Sequence, residues 1–108
     1  MKVIVEKIDG ISDNMSEKIT KLARITELII ILGNKKDTDI NKMYSIGLRQ
    51  SGNVMLVENI QDLYLNYAKR FKVIGVIDTN LLPQNEVKEM IDILEKEEVK
   101  GYIYGRFK

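Results

Sequence analysis

Apolar positions along this chain alternate between two spacings, and the alternation predicts the fold. Leu28 to Leu32 (LIIIL) is an unbroken apolar run, too short for a globular helix and rich in β-branched residues. Such a run reads as a strand buried on both faces of a parallel sheet. Gly33 ends it, a polar loop of lysine and aspartate follows, and a helical pattern resumes near Ile40. A strand, a tight loop and a helix N-terminus are the parts from which α/β proteins build the mouth of a ligand site.

The remaining segments repeat this rhythm. Lys2 to Ile8 reads as a first strand nearer an edge, and Asn14 with Glu17 as a capping box opening a helix. Met15, Ile19, Leu22 and Ala23 form the apolar face of that helix. A second helix is expected over 39–49, with Ile40, Met43, Ile46 and Gly47 inward and Ser51-Gly52 as its stop. Val54 to Val57 is a third strand. Asn59 then caps a short helix packing through Ile60, Leu63, Tyr64 and Tyr67, the tyrosines serving core and rim. Val73 to Ile77 is a fourth strand. Pro83 suits a first helical turn, and Val87, Met90, Ile91 and Leu94 make an i, i+3, i+4, i+7 stripe. Lys100 and Gly101 are expected to close that helix, so residues 1–101 form the domain and 102–108 a tail. The tail carries Tyr102, Ile103, Tyr104 and Phe107, which suit either an added strand or a docking segment.

Four strands alternating with helices imply a single three-layer α/β domain, a parallel sheet with helices on both faces and right-handed crossovers. The two most apolar strands belong at the centre, which predicts the order 3-2-4-1. The loops after those central strands then meet at a topological switch point, the expected ligand crevice. Its candidate residues are Asn34, Lys35, Lys36, Asp37, Thr38 and Asp39 from one loop and Asp78, Thr79 and Asn80 from the other, with Asp9 and Ser12 at the rim.

Composition narrows the chemistry. A chain of 108 residues supports one core. The net charge of +1, with acids and bases interspersed, argues against nucleic acid as a main partner. With no cysteine and no histidine, the chain by itself supplies no disulfide, no Ser-His-Asp or Cys-His nucleophile and no cysteine-ligated iron–sulfur centre. The N-terminal apolar run, Val3 to Val5, is too short for a signal-peptide core or a membrane span, so a cytoplasmic location with no membrane partner is the expectation. Heavy use of lysine, isoleucine and asparagine fits an AT-rich bacterial genome.

Two stretches carry a family resemblance. Leu32-Gly33-Asn34-Lys35-Lys36-Asp37-Thr38-Asp39-Ile40-Asn41-Lys42-Met43 is similar to the pattern V-G-x-K-N-S-S-N-S-x-[KR]-L. Ile74-Gly75-Val76-Ile77-Asp78-Thr79-Asn80-Leu81-Leu82-Pro83 is similar to V-G-[IV]-T-A-G-A-S-x-P, and Ile8-Asp9-Gly10-Ile11-Ser12 to I-C-x-x-T. These patterns mark the last of three domains in the 4-hydroxy-3-methylbut-2-enyl diphosphate reductases, the LytB family of isoprenoid biosynthesis. The chain resembles that domain over residues 3–97. The resemblance implies an oxidoreductase whose iron–sulfur cluster is held by three thiolates, one of them at the position of Asp9. It also implies that a substrate diphosphate meets the serines and asparagine at the positions of Asp37-Thr38-Asp39 and the serine at Leu81. Here neutral donors have become aspartates. Two like charges about 4 Å apart repel by about 1 kcal/mol in water and about 4 kcal/mol at an effective dielectric near 20. Lys35 alone does not reverse that balance, so the site reads as dead for the reductase reaction, with no cofactor held by this chain.

Each feature also has a plainer reading. The aspartates suit turns and N-caps, or, with Asp37, Asp39 and Asp78 as oxygen ligands, a divalent cation. Gly33 serves the turn or a phosphate, and Lys35-Lys36 a solvated loop or an anion clamp. Three functions follow: a non-catalytic binding or assembly module, partnered by other LytB-like domains or by itself; one domain of a working reductase whose chemistry lies elsewhere; and cation-dependent binding of a small molecule at the acidic mouth.

Overall fold

A computed structural model of the chain describes residues 2–9 and 14–107, and beyond residue 96 the backbone alone. The elements run β1 (Lys2–Lys7), α1 (Met15–Ile25), β2 (Leu28–Leu32), α2 (Thr38–Gln50), β3 (Val54–Val57), a 3-10 turn (Ile60–Asp62), α3 (Leu65–Ala68), β4 (Val73–Asp78) and α4 (Gln84–Phe107). The sheet is parallel throughout, in the order β1-β4-β2-β3, which is the expected 3-2-4-1 read from the other edge.

All five side chains of β2 are buried, because the strand has helices above and below it. Leu28, Ile30 and Leu32 join Val87, Met90 and Leu94 of α4 on one face. Ile29 and Ile31 join Ile19 and Leu22 of α1 and Ile40, Met43 and Ile46 of α2 on the other. Burying a residue of this size stabilises by about 1.5–3 kcal/mol, so β2 is the strand whose removal would dissolve both layers at once. Gly75 of β4 lets α1 approach the sheet closely: a Cβ there would sit 2.8 Å from Leu22 Cγ.

Local details differ from expectation in four places. Asn14 stands at the N-cap of α1, but its side chain makes no cap hydrogen bond. Pro83 precedes α4 as its cap residue, its carbonyl accepting from the N–H groups of Glu86 (3.0 Å) and Val87 (3.1 Å). The expected helix after Asn59 is split. Asn59 does cap, accepting from Gln61 N–H at 3.0 Å, but only the 3-10 turn follows, and an extended Leu63 resets the phase before α3. Leu63, Leu65 and Ala68 therefore face the core, and Tyr64 is left 68% exposed instead of packed. Tyr67 stacks edge-on against Phe71, with centroids 5.3 Å apart. Finally, α4 does not stop at Lys100 and Gly101 but continues to Phe107, so the segment after Gly101 is helical and not an added strand. A glycine inside a helix costs only about 1 kcal/mol relative to alanine, which is a preference and not a barrier.

Candidate functional site

Because α2 lies on one face of the sheet and α4 on the other, the loops after β2 and β4 part company at adjacent central strands. A cleft of about 290 Å³ opens there. Buried Ile40 and Met43 form its apolar base, Asp9, Asp37, Asp39, Thr79 and Asn80 its polar lining, and Leu81 its rim.

Two contacts lock the strand ends together beneath the cleft. Thr79 is buried, and its hydroxyl donates to the Leu32 carbonyl, joining the end of β4 to the end of β2. Gly33 faces Thr79 and Ile40 so closely that a Cβ would lie 2.5 Å from Ile40 Cδ1 and 3.3 Å from Thr79 Oγ1. The glycine is thus required by close approach of helix to strand. The turn itself does not demand it, since Gly33 lacks the left-handed φ that Gly52 adopts.

The loop after β2 consumes its own donors. Lys35 N–H donates to Glu58 Oε1 at 3.0 Å, and Lys36 N–H to Asn34 Oδ1 at 2.8 Å. Asp37 N–H donates to the Asn34 carbonyl at 2.9 Å. Asp37 Oδ1 then caps α2, accepting from Asp39 N–H (2.8 Å) and Ile40 N–H (3.2 Å). Asn41 Nδ2 fastens the loop by donating to the Lys35 and Asp37 carbonyls at 2.9 and 3.1 Å. A helix N-terminus attracts anions because its first N–H groups lack partners. Here one carboxylate of the chain itself, Asp37, already takes two of them.

The loop after β4 is also self-satisfied. Asp78 is only 2% exposed; Oδ1 accepts from Asn80 N–H at 2.9 Å and Oδ2 from Gln84 Nε2 at 3.3 Å. The first bond holds Asn80 at φ 65°, a left-handed conformation that asparagine adopts more readily than most residues.

The structure therefore brings together Asp9, Asp37, Asp39, Thr79 and Asn80 of the expected site residues. Asn34, Lys35, Lys36, Thr38 and Asp78 do not line the cleft, and Ser12 lies outside the described residues. The lining among the described residues holds three carboxylates and no lysine or arginine. Asp37, Asp39 and Asp78 are not assembled as cation ligands: among the described residues no three acidic, histidine or cysteine side chains converge as a metal ion would need. Helix capping takes Asp37, and the Asp78 carboxylate is turned toward the start of α4. An iron–sulfur cluster does not fit either, because the cleft offers oxygen donors and the chain has no thiolate. The sequence reading placed Ile40 and Met43 in the core and not in the lining, and it reached Leu81 only as the position of the family's diphosphate-binding serine.

No family model matches the chain. It is 29% identical over 85 residues to a 4-hydroxy-3-methylbut-2-enyl diphosphate reductase of Fusobacterium nucleatum, 79% of this chain and 10% of the relative. The reductase of Dictyoglomus turgidum is 28% identical over 79 residues, covering 73% of this chain and 28% of the relative. That of Buchnera aphidicola is 26% identical over 91 residues, covering 84% and 29%. The chain thus spans less than a third of the length of each of these relatives. A solved structure of (E)-4-hydroxy-3-methyl-but-2-enyl diphosphate reductase superposes with a TM-score of 0.66 at 19% identity, covering 76% of this chain and 29% of that one. Among the described residues no helix is long and apolar enough to cross a membrane. In sequence over most of its length, and in fold, this chain resembles one part of the 4-hydroxy-3-methylbut-2-enyl diphosphate reductases, the LytB family.

Proposed function

We propose that the chain is a LytB-like domain that has lost the cluster cysteine and the diphosphate donors, and that it works as a non-catalytic binding or assembly module. The observation that carries this reading is the state of the cleft. Among the described residues its lining bears Asp9, Asp37 and Asp39 and no lysine or arginine, and Asp37 and Glu58 already accept the N–H groups of Lys35, Asp39 and Ile40. Each carboxylate facing a phosphate oxygen opposes binding by the Coulomb term given above, and the opposition grows as water is displaced. Such a cleft is instead suited to hydrogen-bond donors.

Anaerobic reconstitution with iron and sulfide is the direct test. The reading expects no visible charge-transfer absorbance above that of a buffer control; a stoichiometric cluster spectrum carried by this chain would overturn it. A second reading is favoured by the coverage of the relatives, since 73–84% of this chain matches 28–29% of two of them. In it, the chain is one domain of a working reductase whose other domains hold the cluster. Sequencing the surrounding reading frame separates the two: cysteine-bearing domains continuous with this one support the second reading.

A further inference from the structure

The sheet is open along β1. Among the described residues β1 pairs only with β4, and its backbone polarity can be assigned. Lys2 N–H donates to the Lys72 carbonyl at 2.8 Å and Ile8 N–H to the Asp78 carbonyl at 3.0 Å. In a parallel pair, alternate residues send both backbone groups to the same neighbour. Even-numbered residues of β1 therefore serve β4, and the N–H and C=O groups of Val3, Val5 and Lys7 face the open edge. Val5 is also 39% exposed. A groove of about 330 Å³ follows the same edge on the α1 face, lined by Ile4, Glu6, Lys21, Leu22 and Ile25, the last 59% exposed.

Charges at the ends of an edge strand usually guard it against pairing. In β1 (KVIVEK) they are arranged so that one antiparallel register turns the guard into a match. With Ile4 on a two-fold axis, Val3 and Val5 of one copy oppose Val5 and Val3 of the other, so only the outward-facing residues exchange hydrogen bonds. Ile4 meets Ile4, and each Lys2 stands opposite a Glu6. Shifting by two residues, which keeps the outward groups opposed, sets Lys2 or Glu6 against Ile4 and breaks the match. Opposed side chains in a sheet project to the same face. The second copy's Ile4 therefore arrives beside the groove formed by Ile4, Leu22 and Ile25.

We infer that β1 is a self-pairing edge: two copies of this chain join their sheets antiparallel, centred on Ile4, into one eight-stranded sheet. This names the partner that an assembly module requires and rests on that reading only there; oligomeric state reports on the edge, whereas cluster reconstitution reports on the cleft. Sedimentation velocity across the micromolar range tests it on the full chain. The wild type is expected to form a dimer. Val5→Pro removes an outward N–H while sparing the β4 ladder, and should be monomeric with an unchanged circular dichroism spectrum. Glu6→Lys, which sets lysine against Lys2, should weaken the dimer at least several-fold, and the double swap Lys2→Glu with Glu6→Lys should restore it. A monomeric wild type, a dimer that persists in Val5→Pro, or a double swap no tighter than Glu6→Lys would each overturn the inference.

Discussion

Asp37 and Asp78 flank the two loops that form the cleft, Asp37 as the residue before α2 and Asp78 as the last residue of β4, yet the fold uses them oppositely. Asp37 is half-buried, caps α2 through a single oxygen and lines the cleft. Asp78 is buried, engages both oxygens and takes no part in the lining. A carboxylate at a strand end is therefore either part of the site or part of its frame. What decides is whether the next helix start brings it a side-chain donor, as Gln84 does for Asp78 and no residue does for Asp37 in the bonds described.

The largest effect is expected on the frame side. Asp78→Ala removes the buried carboxylate that accepts from both the Asn80 N–H and the Gln84 amide, and the loss of two charge-assisted bonds should lower the unfolding free energy by about 3 kcal/mol in urea titrations. Asp78→Asn keeps one acceptor and should lose roughly 1 kcal/mol. A loss for the alanine variant within the ordinary surface range would place Asp78 with Asp37. Next comes the contact beneath both loops. Gly33→Ala drives a Cβ into Ile40, an overpacking worth about 2 kcal/mol, and Ile40→Val in the same chain should recover part of it. Asp37→Ala removes only an N-cap and should cost about 1 kcal/mol, whereas Asp37→Asn, an equally good cap, should change stability by a few tenths. Smallest of all, Asp39→Asn and Asp9→Asn should move the midpoint by no more than about 0.5 kcal/mol, as cleft residues outside the frame. A larger loss from either would mean that the frame extends into the cleft.

How much of this was legible in the sequence follows from the range of the forces involved. The β2 run and the α2 stripe were readable because burial on one or both faces leaves a period in the chain itself, and Ile40, Met43, Ile46 and Gly47 are indeed the buried residues of α2. The strand order was readable because apolar content ranks central strands above edge strands. The break between the 3-10 turn and α3 was not, since Leu63 leaves helical geometry while the residues around it keep helical spacing. The division of labour between Asp37 and Asp78 was equally hidden. It depends on Gln84, six residues beyond Asp78, and on Glu58 from the next β-strand's exit, whose N–H acceptor role at Lys35 no local pattern announces. The role of Gly33 was misread for the same reason: the atoms that exclude a Cβ belong to Ile40 and Thr79.

The cleft claim is tested most directly by calorimetric titration of inorganic diphosphate into the wild-type chain at physiological ionic strength. With three carboxylates in the described lining and the Lys35, Asp39 and Ile40 N–H groups already engaged, the titration should show no saturable heat up to millimolar diphosphate. Saturable binding in the micromolar range would contradict the account.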